Sequence, residues 1–278
     1  NYEYDPAGNI TKRTNTDFNT TGTDPKTSTQ EYTYDAMNRL KTSQGGYNYE
    51  LWNNNEKILN TYTNNFTYDT IGNILNKTQV NKGRNLSGTE TTLEATTYTY
   101  DYEYASTRPH AVTKAGPKTF TYDLNGNMLT MNDTQDGVNR TITWDSENRM
   151  TKTVDNATAT IYAYDHSGAR VYKKGKFGTV LYPNNNYTLR NYDIIGLHIF
   201  IGATRIASKL LCSEEVNGTV TKVHKGTYYY HADHLGSSSV VTNKSGTFHE
   251  HLEYFPYGET WINEKAAGNT ESIPYKFT

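Results

Sequence analysis

The chain has 278 residues, 34% of them hydrophobic, and a net charge of −2 from 27 Lys and Arg against 29 Asp and Glu. With no basic run in so even a balance, a surface that tracks a nucleic-acid phosphate backbone is excluded. The most apolar window, residues 194–201, falls far short of the ~20 residues of a membrane span, and a single cysteine, Cys212, rules out an intrachain disulfide or a zinc ribbon. Disorder is excluded on other grounds. The 25 Tyr, 8 Phe and 3 Trp supply apolar area that disordered chains lack, each Tyr and Trp with a polar handle.

In chain order, one unit recurs: aromatic-x-aromatic-Asp-x-x-(Gly/Asn)-(Asn/Arg/Ala)-apolar. It appears as Tyr2-Glu3-Tyr4-Asp5-Pro6-Ala7-Gly8-Asn9-Ile10, and again from Tyr32, Phe66, Phe120, Ile142 and Tyr162, with Asp35, Asp69, Asp123, Asp145 and Asp165 in the fourth place. A degenerate copy, Tyr98-Thr99-Tyr100-Asp101, lacks the Gly and runs into Arg108-Pro109-His110. The chain opens in the middle of this pattern at Asn1, which predicts a fragment of a longer polypeptide.

Each position has a physical role. Aromatic-x-aromatic places two rings on one face of a strand, and the Thr between them suits the other face. Asp favours the first position of a type I turn, where its carboxylate accepts backbone N–H groups, and Gly the fourth. Asn38 and Asn148 replace Gly in two copies, as the non-glycine residue that best tolerates a left-handed backbone. The apolar residues Ile10, Leu40, Ile74, Met128 and Met150 then open the return strand, so each unit is one β-hairpin. A lone hairpin is marginally stable, and stacking edge to edge builds a continuous sheet. The polar inserts Asn15–Ser28 and Asn53-Asn54-Asn55 are expected to be surface loops.

Further along, residues 194–201 read as a buried strand and Cys212 as a buried thiol. Asp233-His234-Leu235-Gly236 reads as another Asp-x-x-Gly turn. His231, Asp233 and His234, followed by His249, Glu250 and His251, are metal-ligand types at short spacing. His231 and His234, three apart, point to opposite faces of a strand unless a turn intervenes, so turn and loop roles account for them better than a metal. A Ser237/His234/Asp233 triad has no Gly-x-Ser-x-Gly elbow to support it. We therefore expect no catalytic residue, no resident metal and no cofactor, and the sequence specifies no binding residue.

The recurring Tyr-Asp-x-x-Gly-Asn unit resembles the YD repeat of bacterial Rhs proteins, toxin-complex C/B components, wall-associated proteins and animal teneurins. His198-Ile199-Phe200-Ile201-Gly202 with Arg205-Ile206-Ala207-Ser208-Lys209, Tyr228-Tyr229-Tyr230-His231-Ala232-Asp233-His234-Leu235-Gly236-Ser237, Tyr254-Phe255-Pro256-Tyr257-Gly258-Glu259 and Pro274-Tyr275-Lys276-Phe277-Thr278 resemble the Rhs-associated core and the segment leading into it. The resemblance implies an all-β fold of consecutive antiparallel hairpins in a curved, spiralling sheet, a section of a β-shell. It divides the chain into YD-repeat hairpins over 1–175 and the start of the core-associated region over 176–278, continuous with the same sheet. It implies a non-enzymatic shell segment of a secreted or cell-surface protein, with a C-terminal toxin or other polypeptide cargo as partner. Seven units are too few to close a shell, so a section of wall is expected. The self-cleavage motif and toxin that follow in the family have no counterpart before Thr278, and neither property carries over to these residues. An extracellular adhesin or carbohydrate-binding scaffold is the alternative, since exposed rings can stack on sugars. Open sheet edges would favour self-association.

Overall fold

The computed structural model describes residues 1–17, 26–51, 56–84, 89–105, 107–216, 219–266, 268 and 275–276. It comprises two compact units, Asn1–Asn139 and Arg140–Thr278. The first holds β1 (Tyr2–Tyr4), β2 (Ile10–Asp17), β3 (Lys26–Tyr34), β4 (Leu40–Leu51), β5 (Glu56–Tyr68), β6 (Ile74–Arg84), β7 (Glu90–Thr92), β8 (Tyr98–Ala105), β9 (Arg108–Ala115), β10 (Lys118–Tyr122) and β11 (Met128–Asp133), with a 3-10 turn at Glu94–Thr96. β12 (Val138–Trp144) begins at the boundary. The second unit continues with β13 (Met150–Asp155), β14 (Thr158–Tyr164), β15 (Arg170–Gly175), β16 (Gly178–Asn184), β17 (Tyr187–Arg190), β18 (Ile194–Ile201), β19 (Thr204–Val216), β20 (Thr219–Ala232), β21 (Ser238–Asn243), β22 (Phe248–Tyr254) and β23 (Thr260–Lys265). No helix among the described residues is long and apolar enough to cross a membrane.

Pairing is antiparallel and follows chain order. In the first unit β1 to β6 pair in succession, β6 takes both the short β7 and β8, and β8 to β11 continue. In the second, β12 to β23 pair each with the next. The sequence period explains the strands. In β8, Tyr98, Tyr100, Tyr102 and Tyr104 are half-buried, whereas Thr99, Asp101 and Glu103 are exposed. On the exposed face threonines pair across strands, Thr33 with Thr42 and Thr121 with Thr130, each with hydroxyls 2.6 Å apart.

Four expectations need correction. Asn15–Ser28 is not wholly loop: β2 and β3 extend through its ends, pairing Asn15 with Ser28 and Asp17 with Lys26. Its Thr-rich flanks satisfy their backbone groups in the ladder. Asn53-Asn54-Asn55 lies outside the described residues, but β4 and β5 are paired up to Leu51 and Glu56 on either side. Asp101 forms no turn; it sits within β8, where its side chain accepts from Asn76 Nδ2 at 2.7 Å. Residues 194–201 do form a strand, but it is not buried throughout: His198 and Gly196 are buried, while Ile199 is 57% and Ile201 70% exposed. A Cβ at Gly196 would stand 2.5 Å from Thr188 Oγ1 and 2.9 Å from His198 Nε2, so glycine makes room for the imidazole. Cys212, finally, is half-buried rather than buried.

The two units bury different chemistry. In the first, Tyr47, Tyr62 and Phe66 are buried beside Ser28, Gln30, Ser43, Asn64, Gln79 and Asn81. One cross-strand row runs Tyr32–Ser43–Asn64–Gln79–Tyr98 over five strands. In the second, Tyr228, Tyr230, Val241, Leu252 and Tyr254 form an apolar cluster, with Leu210 packed against it.

Candidate functional site

The feature that recurs in register along both units is the turn and its tyrosine. At the first turn the Asp5 N–H donates to the Asn9 carbonyl at 2.9 Å, and the Gly8 N–H to the Asp5 carbonyl at 3.0 Å. Asp5 Oδ1 accepts the N–H groups of Ala7 and Asn9, both at 2.9 Å, and Oδ2 accepts from Asn9 Nδ2. Gly8 adopts φ +87°, and the register of β1 on β2 slips between Glu3 and Tyr4. Together these make a type I turn closed by a left-handed residue and a bulge.

The same backbone pair and the same two N–H groups on one carboxylate oxygen recur at Asp35, Asp69, Asp123, Asp145, Asp165 and Asp233. Asn38 and Asn148 stand at φ +59° and +58° in the glycine slot, as their residue type leads one to expect. Two further turns escape an Asp-based search. Asn243 takes the acid's place with its amide oxygen, accepting the N–H groups of Ser245 and Thr247. Phe255 keeps the backbone pattern with no side-chain acceptor and buries its ring instead.

The carboxylates of Asp5, Asp35, Asp69, Asp123, Asp145 and Asp165 are held below the usual Asp range. For Asp5 and Asp123 the leading cause is the hydrogen bond from the side chain of Asn9 or Asn127. For Asp35 and Asp145 it is the backbone N–H of Arg39 or Arg149. At Asp69 desolvation opposes the shift and is outweighed by the Asn73 backbone and side-chain donors. All this describes an acid used to hold a turn, with its charged form already committed to donors.

The tyrosine before the acid carries the link between hairpins. Tyr34 donates its hydroxyl to the Ile10 carbonyl at 2.8 Å, Tyr68 to Leu40 at 2.7 Å, Tyr122 to Val112 at 2.7 Å, Tyr164 to Met150 at 2.8 Å and Tyr254 to Ser238 at 2.9 Å. In each case the backbone ladder has ended just before. The β4–β5 register stops at Thr42 with Asn65, for instance, and the β13–β14 register at Lys152 with Ile161. The bulge turns the return strand away from its neighbour, and the long phenol reaches the carbonyl that the ladder no longer serves. In the degenerate unit this role belongs to Tyr104, which donates to the Ile74 carbonyl at 2.8 Å. The spine there is carried four residues beyond Tyr100.

A second stitch comes from the residue that follows the glycine. Asn9 Nδ2 donates to Asn38 Oδ1 in the next turn at 2.9 Å, Arg39 Nη1 to the Asp69 carbonyl at 3.0 Å, and Asn73 Nδ2 to the Pro109 carbonyl at 2.7 Å. The Arg39 guanidinium also lies 4.6 Å from the centre of the Tyr68 ring, and Arg149 5.5 Å from Tyr164. The sequence analysis assigns this position no role, although the recurrence of a long donor at Asn9, Arg39, Asn73, Asn127 and Arg149, with Ala169 the exception, is the signal.

The histidine cluster is dispersed. His231 is exposed on β20 beside Thr242, His234 is exposed at the tip of the Asp233 turn, and His249 packs against Tyr228 with ring centres 4.5 Å apart. His251 is buried and meets Glu253 at 3.1 Å, while the buried Glu250 receives Lys276 Nζ at 3.4 Å. Among the described residues no group of three or more His, Cys, Asp or Glu side chains is placed to hold a metal ion. Asp233 Oδ1 is occupied by the N–H groups of Leu235 and Ser237, so the acid of the supposed triad is the turn acid.

Residues 81–194 match a family model described as the teneurin YD-shell. The chain is similar in structure to a chain of the Photorhabdus luminescens Tc holotoxin pore carrying the TccC3-D651A mutation. The TM-score is 0.63 at 18% identity, over 95% of this chain and 13% of that one. It is also similar to a chain of the TcdB2-TccC3-TEV crystal structure, with a TM-score of 0.53 at 16% identity and the same two coverages. At these identities the likeness is one of fold, and the chain spans about an eighth of the length of those chains. No curated protein matches it in sequence.

Proposed function

We propose that this chain, a member of the YD-repeat (Rhs) family, forms part of the wall of a β-shell that encloses a polypeptide, the C-terminal effector of a longer toxin or surface protein. The observation that carries this reading is the tyrosine spine. Six hydroxyls each close the gap to the preceding hairpin, so that hairpins add one after another without a separate core for each. A sheet built this way gains area cheaply and offers one ring-lined and one threonine-lined face. Residues 1–175 would supply YD hairpins and residues 176–278 the start of the core-associated region, in a secreted or cell-surface protein. On this reading the chain performs no reaction, and the turn acids serve structure.

The test is a pair of photo-cross-linking positions on opposite faces, made in the complete polypeptide that carries this segment. Benzoylphenylalanine in place of Phe120 or Tyr162 should capture the enclosed polypeptide, and in place of Thr121 or Ala163 it should not. Capture from the threonine face alone would reverse the assignment of faces. Capture from neither would refute enclosure.

A further inference from the structure

β18 ends and β19 begins beside a cleft of about 300 Å³, walled by Phe200, Arg205, Tyr230, Leu235, Tyr275 and Lys276. One wall is a strap from beyond β23. The Ser238 N–H donates to the Lys276 carbonyl at 2.8 Å, the Ser238 hydroxyl to the Tyr275 carbonyl at 3.0 Å, and the Tyr275 hydroxyl meets His198 Nε2 at 3.2 Å. The buried His198 ring is fixed in turn by Ser208 at 2.7 Å and Thr188 at 3.1 Å. Hydrogen bonds thus tie Tyr275 and Lys276, one wall of the cleft, to β18 and β21.

Arg205 is the residue without an account. Its guanidinium lies 3.3 Å from the centre of the Tyr275 ring and 5.0 Å from that of Phe200. Its Nε is buried with no hydrogen-bond partner, and among the described residues it forms no ion pair. Burial pushes its pKa down, and only the Tyr275 and Tyr230 hydroxyls oppose the shift; no carboxylate does. It remains a cation all the same. Lys276, the other cation of the cleft, is already committed to the buried Glu250 carboxylate. Nor does His198 offset the charge: burial first, then Arg205 and Arg190, bring its pKa to about 4, so it is neutral at pH 7.

A partly buried charge is ordinarily paired. Here the fold buries Nε, sets two rings against the guanidinium and places Arg205 in the lining of the cleft. A planar guanidinium fork matches a carboxylate through two parallel N–H donors. The surrounding rings and the exposed Leu235 side chain match an apolar body attached to that carboxylate. We propose that this cleft binds a carboxylate carried on an apolar or aromatic body, with Arg205 as the anchoring residue. One uncommitted cation favours a carboxylate over a phosphate, which draws on more positive charge. The site stands independently of the shell-wall reading, since it rests on the second unit alone.

The test is calorimetric titration of the full chain with 3-phenylpropionate, 3-phenylpropionamide and inorganic phosphate at pH 7. The acid should bind with one-to-one stoichiometry, about tenfold or more tightly than the amide, in line with the strength of charge-assisted hydrogen bonds. Arg205→Gln should weaken the acid by a similar factor, and Arg205→Lys should recover only part of it, because an ammonium lacks the fork. Acetyl-Glu-Phe-amide, set against its Gln counterpart, distinguishes the sources. Tighter binding of this peptide than of the small acid assigns the site to an acidic side chain of a polypeptide, and the reverse order to a free small carboxylate. Equal binding of acid and amide by the wild-type chain overturns the proposal even if the variants fail to fold. Undiminished binding by a folded Arg205→Gln chain, or tighter binding of phosphate than of the acid, overturns it too.

Discussion

The two compact units share one turn and one tyrosine link, but they fill their buried space with different residues. The first buries chiefly uncharged polar groups beside its rings: Asn64 and Gln79 are both 0% exposed, with Ser28, Gln30, Ser43 and Asn81 nearly so, although the ionisable Arg13, Lys77 and Asp133 are buried there too. The second combines the aliphatic-aromatic cluster around Val241 and Leu252 with ionisable groups, His198, Glu250, His251 and Glu253, all buried. Amides and hydroxyls do not titrate, whereas buried ionisable groups tie stability to proton binding. A common scaffold therefore tolerates either solution. What the repeat specifies is the end of each hairpin, not its middle.

This contrast can be broken at several points. The largest effect should come from the apolar cluster: Leu252→Ala, at a wholly buried position, is expected to cost the second unit about 2–5 kcal/mol by the usual cavity penalty, read from urea unfolding. Next comes pH. The folded-state pKa of His198, about 4, lies below its ordinary 6.5, so as pH falls the unfolded chain takes up the proton first. This contribution is fully present above about pH 6.5 and lost between there and about pH 4, amounting to roughly 3 kcal/mol. His198→Gln should flatten unfolding midpoints across that window; an unchanged pH profile would refute the buried neutral imidazole.

Smaller effects belong to the shared parts. Tyr68→Phe removes one hydroxyl and should cost about 1 kcal/mol, with the ring still under Arg39. The smallest change is expected for Asp123→Asn at neutral pH, because Asn243 already shows an amide oxygen holding the same two N–H groups. Its signature lies in acid. The folded pKa of Asp123 is depressed, so its contribution is complete above the usual Asp range near 3.8 and lost as pH falls through the lower folded value. Asp123→Asn should remove part of that acid limb, which a pH series of melting temperatures would detect.

How far the sequence discloses the molecule follows from the range of each interaction. The turns are legible because their chemistry is local: an acid accepts N–H groups two and four residues on, and glycine or asparagine supplies the left-handed step. Alternation of rings with threonine is legible for the same reason, and so is the turn at Asp233. The spine is not, since Tyr104 and the carbonyl it reaches at Ile74 are thirty residues apart, on different hairpins. Motif spacing alone therefore puts the degenerate unit at Tyr100 and Asp101. The strand at 194–201 is legible as a strand but not in orientation. An apolar run does not say which face the fold will cover, and here the covered face carries Gly196 and His198. Arg205 and Tyr275 stand in stretches that resemble the core, but their meeting is not legible, because seventy residues separate them and only the fold brings the Tyr275 ring onto the guanidinium.

The central structural claim is that each tyrosine hydroxyl carries the ladder past the bulge to the neighbouring hairpin. Native-state hydrogen exchange on Tyr68→Phe tests it most directly. The account predicts a loss of protection of about fivefold to tenfold for amides at the start of β4 and the end of β5, matching one hydrogen bond, with β22 and β23 unchanged. Unchanged protection around Leu40, or an equal loss in both units, would contradict it.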